Sequence, residues 1–228
     1  MSEATYSLPT TAAVERLIRS PLLPRHVQTL RSLLQEEQAR RERFYEEMVE
    51  GQKAEFINGE VVVQSPAKWR HTQVVRNLLV LLTAYATQHG LGHVGQEKVL
   101  ITLTRNDYEP DIVYFGPEKA RALTPEQVKF PAPDLIVEVL SPATEATDRG
   151  IKFLDYALHG VGEYWLVDPE AEQIEQYVLD GDVYRLRVKS DSGLIRSVVV
   201  EGCAIPVRAA FDEAEMLAAL RTIVSARR

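Results

Sequence analysis

The chain has one cysteine, Cys203. A single thiol excludes an internal disulfide and a cysteine-based metal cluster, and it fits a small core residue in a reducing, cytoplasmic setting. Long hydrophobic runs are also missing. The apolar stretches fall far short of the roughly 20 residues that a membrane-spanning helix needs, so no membrane partner is expected. The start has no basic segment followed by an apolar core, and no secretory signal is expected. Positive charge is in deficit, with 26 Lys and Arg against 33 Asp and Glu and a net charge of −7. That balance argues against a general nucleic-acid coat, which rests on many basic contacts to phosphate. A nuclease stays compatible with it, because metal-binding carboxylates add negative charge and a local basic lip can still guide DNA. Internal repeats and low-complexity tracts are absent as well.

What is present is the composition of a soluble globular chain of 228 residues, 45% hydrophobic and 26% charged. We divide it into an N-terminal helical extension, residues 1–50, and one domain, residues 51–228. Residues 26–50 are charged and free of Gly and Pro, and they read as one exposed helix whose apolar stripe is interrupted at Glu37 and Arg41. Asn58-Gly59 between β-prone arms predicts a hairpin with a type I′ turn. Ser65-Pro66 predicts the start of a long helix with Val74, Val75, Leu78, Leu81 and Leu82 on its apolar face and Gly90 at its end. Residues 94–103 read as one strand. The organising stretch is residues 133–168: an apolar strand stopped by Ser141-Pro142, a helix over 148–159 closed by Gly160, and a second apolar strand ending at Asp168-Pro169. That pattern predicts a right-handed parallel β-α-β crossover.

Two acids sit inside apolar strands: Asp111 in PDIVYF and Glu138 in LIVEVL. A buried carboxylate is costly unless something positive meets it. Two close carboxylates repel, and each one's pKa rises unless they share a cation. Hard oxygen ligands select magnesium, calcium or manganese. Such an ion can orient water and neutralise charge developing on a phosphate. The residues alone leave a second option open, two separately hydrogen-bonded acids at strand ends.

Asn58-Gly59-Glu60, His71 near a helix start, Pro110-Asp111, Val137-Glu138-Val139-Leu140-Ser141-Pro142, Thr147-Asp148-Arg149, Lys152, Tyr156 and residues 162–169 occur in an order and spacing that resemble the Uma-two family. These are bacterial restriction-endonuclease-like proteins of the PD-(D/E)XK nuclease superfamily. The resemblance covers about residues 50–212. It implies an α/β, restriction-endonuclease-like fold with a mixed central sheet flanked by helices. It also implies Asp111 and Glu138 as the acids that hold Mg2+, with Mn2+ able to substitute, and Glu60 as an extra metal ligand. The family motif wants a lysine two residues after Glu138, where this chain has Leu140. Lys152, on the following helix, is the expected substitute, supporting the nucleophile or the transition state. Pairing of Lys152 with Asp148 or Asp155 on the helix surface is the bland alternative.

The expected function is therefore metal-dependent endonuclease chemistry, hydrolysis of phosphodiester bonds in DNA by Asp111, Glu138 and Lys152. A homodimer is the default assembly. The rival is a catalytically silent nuclease fold that docks DNA or protein, which Leu140 and the acidic net charge favour.

Overall fold

The computed structural model describes residues 12–49 and 51–225. Residues 1–11 of the expected extension lie outside the described residues. Two helices, α1 (Ala12–Ile18) and α2 (Leu23–Glu47), lead into a hairpin of β1 (Ala54–Ile57) and β2 (Glu60–Val63). Asn58 and Gly59 have φ of 51° and 85°, the positive pair that a type I′ turn requires. Next come α3 (Trp69–His89), β3 (His93–Gln96), β4 (Leu100–Thr102), β5 (Asp107–Tyr108), β6 (Ile112–Phe115), the short α4 (Pro117–Ala120) and β7 (Lys129–Phe130). The β-α-β unit follows: β8 (Leu135–Val139), then α5 (Glu145–Thr147), a π turn (Asp148–Lys152) and α6 (Phe153–Leu158) in one continuous helix, then β9 (Glu163–Asp168), with β8 and β9 parallel. A hairpin of β10 (Gln173–Asp180) and β11 (Val183–Ser190), a ribbon of β12 (Leu194–Arg196) and β13 (Ala204–Pro206), and α7 (Glu213–Ser225) complete the chain.

The fold is the expected mixed α/β arrangement with helices on the sheet, but it has two main sheets. The central sheet has six strands in the order β11-β10-β9-β8-β6-β3, and the second has five in the order β2-β1-β5-β4-β7. Strand alternation sorts the central sheet's side chains. Tyr114, Val137, Trp165 and Val167 join Leu78, Leu81 and Leu82 of α3 and Met216 of α7 on one face. Val113, Ile136, Tyr164 and Leu166 join Tyr156 of α6 and Ile101 and Tyr108 of the five-stranded sheet on the other. No described helix is long and apolar enough to cross a membrane.

Three local expectations are corrected. α3 begins at Trp69 with Lys68 as its N-cap, so Ser65 does not cap it. The segment 94–103 is two strands in different sheets, because Glu97 and Lys98 both take left-handed backbone, φ 28° and 53°, and turn the chain between β3 and β4. The polar interruptions of α2 are its anchors. Arg41 donates from Nε and Nη2 to the two carboxylate oxygens of buried Asp107 at 2.6 and 2.8 Å, and Glu37 accepts from Arg105 at 2.6 and 2.8 Å. Phe44 of α2 stacks near Phe56 of β1. The C-terminal half of α2 is thus fastened to the five-stranded sheet.

Candidate active site

The site lies where the second face of the central sheet meets the five-stranded sheet and the π turn. Ile112 of β6 pairs with Val137 of β8, so Asp111 and Glu138 stand next to each other at the end of that register. Alternation puts both on the face of Val113 and Ile136. The two are linked through the backbone: the Asp111 N–H approaches Glu138 Oε2 at 3.4 Å, and the Val139 N–H donates to Asp111 Oδ2 at 2.9 Å. Both acids are buried.

Each carboxylate has its own lysine. Lys152 Nζ lies 3.0 Å from Glu138 Oε1, 2.9 Å from Glu55 Oε1 and 3.1 Å from Asp148 Oδ1. Lys53 Nζ lies 2.9 Å from Asp111 Oδ1. The π turn brings Asp148 and Lys152 inward together, a role such turns often have at functional sites. Tyr156 donates to Glu138 Oε1 at 3.2 Å, and His71 Nε2 is 3.2 Å from Asp111 Oδ2. Glu55 also accepts the Glu109 N–H at 3.0 Å, which ties β1 to the strand end that carries Asp111.

Burial and charge shape the titration of these groups. Burial pushes the Glu138 carboxyl up to about 8 despite the neighbouring Lys152, and it also raises Asp148. For the lysines, burial favours the neutral amine, but the adjoining carboxylates outweigh it. Glu138 leads for Lys152 and Asp111 for Lys53, and both stay raised.

The donor set fits one hard divalent cation. Four carboxylates (Glu55, Asp111, Glu138 and Asp148) meet two ammonium groups (Lys53 and Lys152), so with every carboxylate ionised two positive charges are lacking, and the raised Glu138 and Asp148 meet that lack with protons or with a cation. His71 Nδ1 is buried without a hydrogen bond. Among the described residues no three His, Cys, Asp or Glu side chains converge as a ready-made cage. Two carboxylates with water and substrate oxygens completing the shell are the usual holding for magnesium.

A family profile described as "Putative restriction endonuclease", Uma2, matches residues 41–208. The chain belongs to the Uma2 family. Two uncharacterized Synechocystis proteins are similar to it. One, sll1609, is 29% identical over 134 residues, 58% of this chain and 75% of that protein. The other, slr1290, is 30% identical over 134 residues, 58% of this chain and 68% of that protein. The crystal structure of a "putative nuclease" from Anabaena variabilis superposes with a TM-score of 0.59 at 17% identity, covering 72% of this chain and 90% of that one. That likeness establishes a shared fold.

Of the residues singled out in sequence, the Uma2 fold brings Asp111, Glu138 and Lys152 together, with His71 alongside. Glu60 is placed elsewhere: it pairs with Ile57 next to the hairpin turn, on the exposed edge strand β2, and has no hydrogen bond or ion pair to the cluster among the described residues. Glu55, in the other arm of the same hairpin, supplies the buried carboxylate instead. Leu140 shares the face of Glu138 but packs with the apolar cluster around Tyr156 and Leu166. Sequence reasoning missed Glu55 and Lys53. The only local signal was a carboxylate flanked by Ala54 and Phe56 in a β-prone arm, the same feature that marked Asp111 and Glu138.

Proposed function

We propose that this chain is a metal-dependent endonuclease that hydrolyses phosphodiester bonds in DNA, using Mg2+ with Mn2+ able to substitute. The observation that carries the reading is the placement of Asp111 and Glu138, adjacent on antiparallel strands and facing one way, in a chain of this family. Asp111 and Glu138 would hold the cation. When bound, it would supply Lewis-acid polarisation of the phosphate and lower the pKa of a water. The protein's own contribution is orientation. The Val139 N–H and His71 fix Asp111 Oδ2. Lys152 and Tyr156 fix Glu138 Oε1 and leave Glu138 Oε2 turned toward Asp111. In this role Lys152 is a positioning residue: its side chain is 2% exposed and surrounded by three carboxylates. The β-strand and π-turn scaffold holds the set in advance, which is what electrostatic stabilisation of a phosphoryl transition state requires.

Purified protein with Mg2+ or Mn2+ should nick plasmid DNA, and Asp111→Asn, which keeps an acceptor for the Val139 N–H, should abolish nicking. Cleavage that survives Asp111→Asn would sink the assignment. One observation favours the silent-scaffold alternative: Leu140 is buried where the motif lysine would stand. That alternative expects DNA or protein binding without any metal affinity at Asp111 and Glu138.

A further inference from the structure

The cluster has a closed end and an open end. Around Glu138 the side chains of Lys152, Glu55 and Asp148 are each 2% exposed. Around Asp111, Lys53 is 20% exposed and His71 14%. The Asp111 side is therefore the one nearer solvent, and the ammonium group on that side is that of Lys53. The two lysines also differ in what they touch. Lys152 contacts three carboxylates in a buried setting and has no capacity left for a further anion. Among the described residues Lys53 has a single carboxylate partner, Asp111, on one of its three donors. Its backbone is fixed, since the Lys53 carbonyl accepts the Gln64 N–H at 3.0 Å just before β1 begins.

We infer that Lys53 is the phosphate-binding residue of this site, pairing with a backbone phosphate of the nucleic acid once a divalent cation takes its place on Asp111. The inference rests on the metal-nuclease reading above and assigns within it the group that touches substrate. The two lysines thereby have different roles, with Lys152 holding the acids and Lys53 holding the anion. Lys53 and the cation also become competitors for Asp111 in the absence of nucleic acid. A lysine ammonium bonds a phosphate as a point charge with rotatable donors, so arginine can replace it in charge if not in geometry.

The test uses the full chain and its Lys53→Met, Lys53→Arg and Lys152→Met variants. Mn2+ binding is followed by calorimetry. Binding of a fluorescent duplex oligonucleotide in Ca2+ is followed by anisotropy over a range of salt. Lys53→Met should bind Mn2+ at least as tightly as wild type. It should bind the oligonucleotide about tenfold more weakly, the scale of one charged hydrogen bond, and lose about one unit of salt slope. Lys53→Arg should restore most of the oligonucleotide affinity and the slope, a rescue that a purely structural lysine would not show. Lys152→Met should reduce thermal stability and leave the salt slope unchanged. If wild type binds Mn2+ and oligonucleotide but Lys53→Met binds the oligonucleotide with the same affinity and slope, Lys53 is not the phosphate contact, and the metal-nuclease reading stands without it. If wild type binds neither, both are overturned.

Discussion

Replacing Lys152 by methionine removes the one cation buried among three acids. Lys152 Nζ lies 2.9–3.1 Å from Glu55, Glu138 and Asp148, all buried. Removing one member of a buried pair costs about 3–5 kcal/mol, because the partner's charge is left in a low-dielectric setting. The acids can escape the penalty by taking up protons, so the cost depends on pH. Lys152 itself is raised above its ordinary 10.5, so its stabilising contribution is fully present below that value and constant across pH 5–9. The pH dependence comes from the acids. Burial already raises Glu138 and Asp148, and losing Lys152 raises them further. Near pH 5 they are readily protonated in the variant and the cost is small; it grows as pH rises toward their raised pKa values and is larger at pH 8. A chain of this size loses roughly 2–4 °C of Tm per kcal/mol, so the full cost is worth about 6–20 °C, and Lys152→Met should melt several degrees below wild type at pH 8, with a smaller gap at pH 5. Calorimetric melts at both pH values measure this directly. Adding Glu138→Gln to Lys152→Met should recover part of the loss. A gap under about 3 °C at pH 8, or equal gaps at both pH values, would mean that Lys152 does not hold the buried acids.

Other perturbations probe the scaffold and the titration. Arg41→Ala removes both hydrogen bonds to buried Asp107 and the 2.7 Å bond to the Leu103 carbonyl, and should cost about 3–5 kcal/mol in urea unfolding. Gly92→Ala should destabilise by more than about 1 kcal/mol by the same assay, since φ is 110° and a Cβ would come within 2.1 Å of the Phe115 carbonyl oxygen. Glu138, raised from 4.5 to about 8, favours the fold most below 4.5, and that contribution is lost as pH rises through about 8. Because the cation must displace its proton, Mn2+ affinity should climb from pH 6 to about 8 and then level off, with proton release visible in buffers of different ionisation enthalpy.

The parts of the fold that were legible in sequence are those fixed by local chemistry. Gly90 and Gly160 stop helices in left-handed backbone, φ 65° and 73°, and Ser141-Pro142 ends β8, so the parallel β8–β9 crossover could be drawn from the chain alone. Asp111 and Glu138 stood out because each interrupts an apolar strand. What escaped depends on contacts distant in sequence. Glu55 and Lys53 enter the site because β1 pairs with β5, which carries the chain to Asp111, and nothing near residue 53 encodes that pairing. Glu97 and Lys98 turn the chain although neither is the Gly or Asn that left-handed backbone favours. Arg41 looked like a solvent-facing break in a helical stripe because its partner, Asp107, lies 66 residues away.

The proposed function stands or falls on whether Asp111 and Glu138 hold a divalent cation. The most direct measurement is calorimetric titration of Mn2+ into wild type and into Asp111→Asn/Glu138→Gln, with and without an oligonucleotide. Wild type should bind Mn2+ and the variant should not. Equal binding by both, or no binding by wild type even with oligonucleotide present, would contradict it.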